Sequence, residues 1–135
     1  CYIVHDAAAK VVDKDIFYHL REGGGTRISS AYKLCNRVID ELYPPTEWNI
    51  YPFHFSDGDN WGDGDTEACV GLLQKELLAK CNMFCYGQVR SLYGSGNCLY
   101  ELQKHFNEEE RVAMSEIANA DEIYDAIKQF LGKGR

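Results

Sequence analysis

Residues 53–65 read FHFSDGDNWGDGD. A short β-prone run, Phe53 to Phe55, leads directly into a loop that holds four aspartates, three glycines and a tryptophan. Carboxylates crowded at that density repel one another, and a bound cation is one way to relieve the repulsion. Asp and Gly are also the commonest turn formers, so the same string reads equally as a solvated turn. The rest of the chain decides what lies on either side of it.

Upstream, Ile28, Ala31, Tyr32, Cys35, Val38, Ile39 and Leu42 recur at the spacing of one helical face, with Ser29, Lys33, Arg37, Asp40 and Glu41 on the other. Pro44 and Pro45 stop that helix. WNIYPFHF, residues 48–55, reads as a strand that Pro52 makes irregular. Downstream, Asp65 or Thr66 can cap a helix running to Lys80, with Cys69, Val70, Leu73 and Leu77 turned inward. NMFCYGQV (82–89) and RVAMSEIA (111–118) read as strands and CLYELQKHF (98–106) as a helix. Asp121 is placed to cap a last helix with Ile123, Ala126, Ile127 and Phe130 on its buried face. At the amino-terminal end CYIVH is strand-like, Val11 and Val12 suggest an edge strand, and DKDIFYHL gives a turn or brief helix with Ile16 and Phe17 inward. Strands and helices alternate with spacers read as too long for hairpins. That pattern predicts an α/β fold in three layers, a mostly parallel sheet with helices on both faces. Ligands in such folds bind beyond the carboxyl ends of the strands, the edge where the acidic loop lies.

Composition narrows the function. The 135 residues suit one domain, and 45% of them are hydrophobic, enough for a core. The net charge of −7, with Lys and Arg scattered, argues against a nucleic-acid partner, and no apolar run reaches the length of a membrane span. Of the six cysteines, Cys35, Cys69, Cys81 and Cys85 lie in or beside apolar runs, and buried free thiols in a reducing compartment are a better reading than disulfides. Cys81 and Cys85 lack a second ligand pair at zinc spacing. An EF-hand is excluded: counting from Asp57 puts Trp61 fifth and Ala68 twelfth, and counting from Asp59 puts Trp61 third and Val70 twelfth. Gly23–Gly25 is no phosphate loop, because the Gly-Lys-Ser/Thr ending is absent. His5, His19, His54 and His105 form no triad or metal spacing with a nearby Ser or Cys.

Two segments carry a resemblance: GGGTRISSA at 23–31, opening a helix, and FHFSDGDNW at 53–61, closing a strand. A Gly-Gly-Thr turn followed by an apolar strand ending in Ser-Asp-Gly resembles the von Willebrand factor A domain. The longer strings GGTRISSAYKLC, YPPTEWNIYPFHFSDGDNW and EIYDAIKQF are similar to the bacterial YeaH/YhbH family, cytoplasmic proteins, one of them named for sporulation. The resemblance implies a metal-ion-dependent adhesion site, with Thr26 matching its second loop and Asp57 its third, and Mg²⁺ or Mn²⁺ as the metal. The site's first motif, Asp-x-Ser-x-Ser on the first strand, does not occur in this sequence. The expectation is therefore a single von Willebrand factor A-like domain, 1–135, lacking its first strand as an amino-terminally truncated fragment of a longer protein, with metal binding weak or absent here. Thr26 also reads as a helix N-cap, and Asp59, Asp63 and Asp65 as solvated loop residues or caps.

The functional reading is a non-catalytic protein-binding module, cytoplasmic, whose partner the resemblance suggests is a PrkA-type serine kinase. The alternative is a metal-dependent phosphatase of the haloacid-dehalogenase type, with Asp57 as nucleophile and Asp59 as acid. That chemistry also needs a Lys and later carboxylates, and none closes a later strand. In the family's fold the missing strand lies between those matching CYIVH and WNIYPFHF. These two should then either pair directly or recruit a strand from a second molecule, giving a homo-oligomer.

Overall fold

A computed structural model describes residues 1–21, 26–62, 64–92 and 96–133. Three parallel strands form the central sheet in the order β3 (Phe53–Ser56), β4 (Phe84–Val89), β5 (Val112–Ile117). The register puts Phe53 opposite Cys85 and Phe84 opposite Val112. Alternation along β4 sorts the core into two layers, because successive side chains point to opposite faces. Phe84 and Tyr86 join a cluster with Ile28, Tyr32, Cys69, Leu73, Cys98 and Leu102, from α2 (Ile28–Leu42), the α3 region (Asp65–Leu72) and α5 (Asn97–Phe106). Cys85 joins Ala113, Ile117, Ala126 and Phe130, the last two from α6 (Glu122–Lys133), on the other face. The three-layer α/β expectation holds. After α3 the chain widens into a π-helical turn, Leu73–Leu77, and closes with α4 (Leu78–Lys80).

The amino-terminal strands do not join this sheet. β1 (Tyr2–His5) and β2 (Ala9–Val12) form an antiparallel hairpin, with Tyr2 opposite Val12 and His5 opposite Ala9. Its turn closes when the Asp6 carboxylate accepts the Ala8 N–H at 2.9 Å. Spacers too long for hairpins were therefore the wrong reading at this end: an Asx turn does there what a Gly or Asn pair would do elsewhere. β1 and β3 share no ladder among the described residues, so the two strands expected to flank a gap have not closed up on each other.

Other local expectations shift. The strand predicted over 48–55 starts only at Phe53. Pro52, which has no N–H to give, accepts Cys85 N–H through its carbonyl, while Asn82 ties down Ile50 through its side chain and its N–H. Ile16 and Phe17 of α1 (Lys14–His19) are exposed rather than inward; Phe17 instead stacks on Tyr2 with ring centres 5.0 Å apart. Leu42 and Ile123 likewise lie on exposed ends of their helices, and Ser29 and Leu34 are the buried residues of α2 that the helical pattern did not turn inward. Ahead of α6 the Glu122 carboxylate reaches back to accept the Ala118 N–H at 2.8 Å.

Gln88, at the end of β4, ties the sheet to the loops above it. Its carbonyl oxygen accepts from Tyr86 Oη at 3.1 Å and from the Leu99 N–H in the first turn of α5 at 2.9 Å, and its amide donates to Gly96 O at 2.9 Å. Gly58 of the acidic loop, at φ +79°, lies directly over it: a Cβ there would sit 2.2 Å from Gln88 Oε1. Gly58→Ala therefore strains the backbone and also collides with a side chain fixed by three hydrogen bonds. A loss of about 1–3 kcal/mol in urea unfolding, at unchanged m-value, is expected. Stability equal to that of the parent chain would show that the loop is not packed as described.

Candidate functional site

The carboxyl ends of β3 and β4 and the start of α2 meet at one edge. Thr26 precedes α2 and Asp57 follows β3, and their loops are bound to each other: the Trp61 N–H donates to Thr26 O at 2.6 Å. The edge thus carries both residues expected from the sequence. Gly23–Gly25 and Asp63 lie outside the described residues.

Thr26 is not the cap of α2. The cap position is Arg27, which offers no side-chain hydrogen bond. The first three N–H groups of a helix have no partner within it. Here Asn60 Oδ1 accepts from Ile28 N–H at 3.0 Å, Asp65 Oδ2 accepts from Ser29 N–H at 3.0 Å, and Arg27 O accepts from Ser30 N–H at 3.1 Å. Asp65 takes the Ser29 hydroxyl as well. Neither solvated nor the cap of its own helix, Asp65 is buried and caps α2 across 36 residues of sequence; α3 itself begins after Gly64, with no side-chain cap. Burial pushes the Asp65 carboxyl up, but the Ser29 hydroxyl and amide, Asn60 and the Arg27 charge together hold it below the usual value. It stays ionised at the positive end of the α2 dipole.

Asp57 is partly buried, and its Oδ1 accepts the Asp59 N–H at 3.0 Å, an Asx turn. One carboxylate oxygen of Asp57 and the hydroxyl of Thr26 are hard oxygen donors of the kind Mg²⁺ and Mn²⁺ take. Two such donors make only part of an octahedral shell. Among the described residues, no group of three or more His, Cys, Asp or Glu side chains converges to hold a metal.

Beneath the edge lies a polar network that no spacing in the sequence announces. His5 of β1 and His54 of β3 approach through their Nε2 atoms at 3.1 Å, 49 residues apart in sequence, and His54 Nδ1 contacts Tyr32 Oη at 3.2 Å. His5 Nδ1 is buried without a partner among the described residues. Desolvation among the Tyr32 and Tyr86 rings, reinforced by the neighbouring His5, lowers His54 to about 3. Desolvation also lowers His5, against the opposing charges of Asp6 and Asp57. All six cysteines are free; Cys1 is exposed rather than buried, whereas burial pushes Cys35, Cys85 and Cys98 up to about 11 and makes them poor nucleophiles.

With this geometry in view, comparison with known proteins places the chain. A family model described as a protein of unknown function, DUF444, matches residues 1–134. The chain belongs to that family. This is the YeaH/YhbH group that the longer strings resemble. A UPF0229 protein of Bacillus thuringiensis (strain Al Hakam) is 42% identical over 129 residues, and UPF0229 proteins of Bacillus cereus (strain G9842) and Bacillus anthracis (strain A0248) align to the same extent. The alignment covers 96% of this chain but only 32% of each relative, so the chain spans about a third of the curated proteins it matches. No solved structure matches. No helix of the described residues is long and apolar enough to cross a membrane.

The histidine pair makes acid stability diagnostic. His54 titrates near 3 in the folded chain and near 6.5 unfolded, so below pH 6.5 the unfolded chain binds the extra proton. Stability is then unaffected above that pH and falls by up to about 1.4 kcal/mol per pH unit as pH drops from 6.5 towards 3. Urea midpoints across this window should show that slope in the parent chain and a flatter one in His54→Phe. Equal slopes would place His54 in a solvated environment.

Proposed function

We propose that this domain is a non-catalytic protein-binding module whose recognition edge carries Thr26 and Asp57. The observation that supports the reading is the locked pairing of their loops, through the Thr26–Trp61 and Asn60–Ile28 hydrogen bonds. That bracing ties the Thr26 loop to the loop that follows Asp57, which favours a fixed arrangement of the kind an adhesion site requires. In the full-length protein Thr26 and Asp57 would contribute two oxygen ligands to a Mg²⁺ or Mn²⁺ ion, the cation supplying an open position for an acidic side chain of the partner. A PrkA-type serine kinase is the partner this reading favours. Among the described residues β1 pairs only with β2 and β3 only with β4, and a strand from a second copy adding to either would give a homo-oligomer.

Two measurements test this. Pull-down of the PrkA-type kinase by the full-length protein should require Mg²⁺ or Mn²⁺ and be lost in Asp57→Ala. For the 135-residue chain alone, calorimetric titration should show little or no binding of either ion, because two oxygens make an incomplete shell. Micromolar affinity abolished by Asp57→Ala would contradict that. Metal-dependent hydrolysis of an aryl phosphate, lost in Asp57→Asn, would replace the binding module with the phosphatase that uses Asp57 and Asp59.

A further inference from the structure

Running away from the recognition edge, an open groove of about 330 Å³ lies between the hairpin turn at Ala7–Ala9 and the outer face of α2. Leu34 forms its floor, and Arg27, Lys33 and Arg37 line its helical wall. All three cations are exposed, and none makes an ion pair among the described residues. The acidic side chains nearby are committed elsewhere: Asp65 is buried against Ser29, Asp40 pairs with Lys80 at 2.6 Å, and Asp6 holds the Ala8 N–H. In a chain of net charge −7, this groove sets together Lys33 and Arg37, which make no ion pair among the described residues, and Arg27, whose charge also acts on Asp65.

We propose that this groove binds an extended acidic segment of a protein partner. The proposal rests on the protein-binding reading above and names the chemistry of a second contact. Its length argues for a peptide over a single phosphate. Ten residues separate Arg27 from Arg37, which at helical rise is about 15 Å. An extended chain covers that distance in four or five residues and can set a carboxylate against each cation. The opposite wall is lined by the small side chains of Ala7, Ala8 and Ala9. A long nucleic acid would meet the repulsion of the whole acidic molecule, whereas a short peptide feels chiefly the local field.

The test uses the full-length protein and a fluorescein-labelled octaglutamate peptide, followed by fluorescence anisotropy in EDTA at low ionic strength. Binding should weaken at least about tenfold in Lys33→Glu/Arg37→Glu and fall steeply with salt. It should persist in Lys104→Glu/Lys128→Glu, which makes the same change of net charge elsewhere, and in Asp57→Ala. Because the assay excludes divalent metal, loss of kinase capture in Asp57→Ala with peptide binding intact separates the two sites. The proposal is overturned if Lys33→Glu/Arg37→Glu binds the peptide as tightly as the parent, or if the two charge-reversed doubles weaken it equally. It is also overturned if octathymidylate binds as tightly with the same dependence on Lys33 and Arg37.

Discussion

A single buried carboxylate organises the functional edge of this domain. Asp65 opens α3, yet its oxygens serve Ser29 of α2, 36 residues earlier in the sequence, and so join the two helices. The charge is sustainable because it faces the helix end where N–H groups are unpaired, and because a hydroxyl, an amide and the Arg27 guanidinium surround it. Removing one partner from such a buried arrangement leaves the others exposed to the full cost of an unsatisfied polar group. Asn60 repeats the device one residue earlier, at Ile28, and its amide reaches Thr66 in the first turn of α3. The acidic loop is therefore fastened at both ends.

This bracing limits what the edge can do. In many α/β folds a helix N-terminus at the carboxyl end of a strand is left open to hold a phosphate. Here Asn60 and Asp65 occupy the start of α2, and Gln88 occupies the first turn of α5. Two of the helix ends that could have bound an anion are already satisfied by the protein. The Thr26 hydroxyl and the Asp57 carboxylate, on loops joined by the Trp61–Thr26 hydrogen bond, are the hard oxygen donors on which the binding proposal rests. The filled helix ends support the proposed binding module over the phosphatase alternative.

Much of the architecture was legible in the sequence because it is carried by periodicity. Cys69, Val70, Leu73 and Leu77 recur at helical spacing and are buried, and the alternation along 84–89 sends Phe84 and Tyr86 to one layer and Cys85 to the other. The motif put Thr26 and Asp57 on neighbouring loops, and the Trp61–Thr26 hydrogen bond does join those loops. The hairpin was not, because Asp6-Ala7-Ala8 lacks the Gly or Asn that usually marks a tight turn and closes through a side chain instead. Asp65 was misread for a related reason: an Asp beside a helix start looks like a local cap, and nothing in the string shows that its hydrogen bonds leave for another helix. The His5–His54–Tyr32 network is invisible for the same cause, since contacts between residues 22 and 49 positions apart leave no spacing to detect.

The account depends most on Asp65 holding the two loops together, and amide hydrogen exchange in Asp65→Ala tests it directly. Removing the carboxylate should increase exchange at Ile28 and Ser29 by tenfold or more, leave Phe84–Val89 protected, and cost about 2–4 kcal/mol of stability. Unchanged protection at Ser29 would mean that α2 is capped without Asp65 and that the edge is not braced as described.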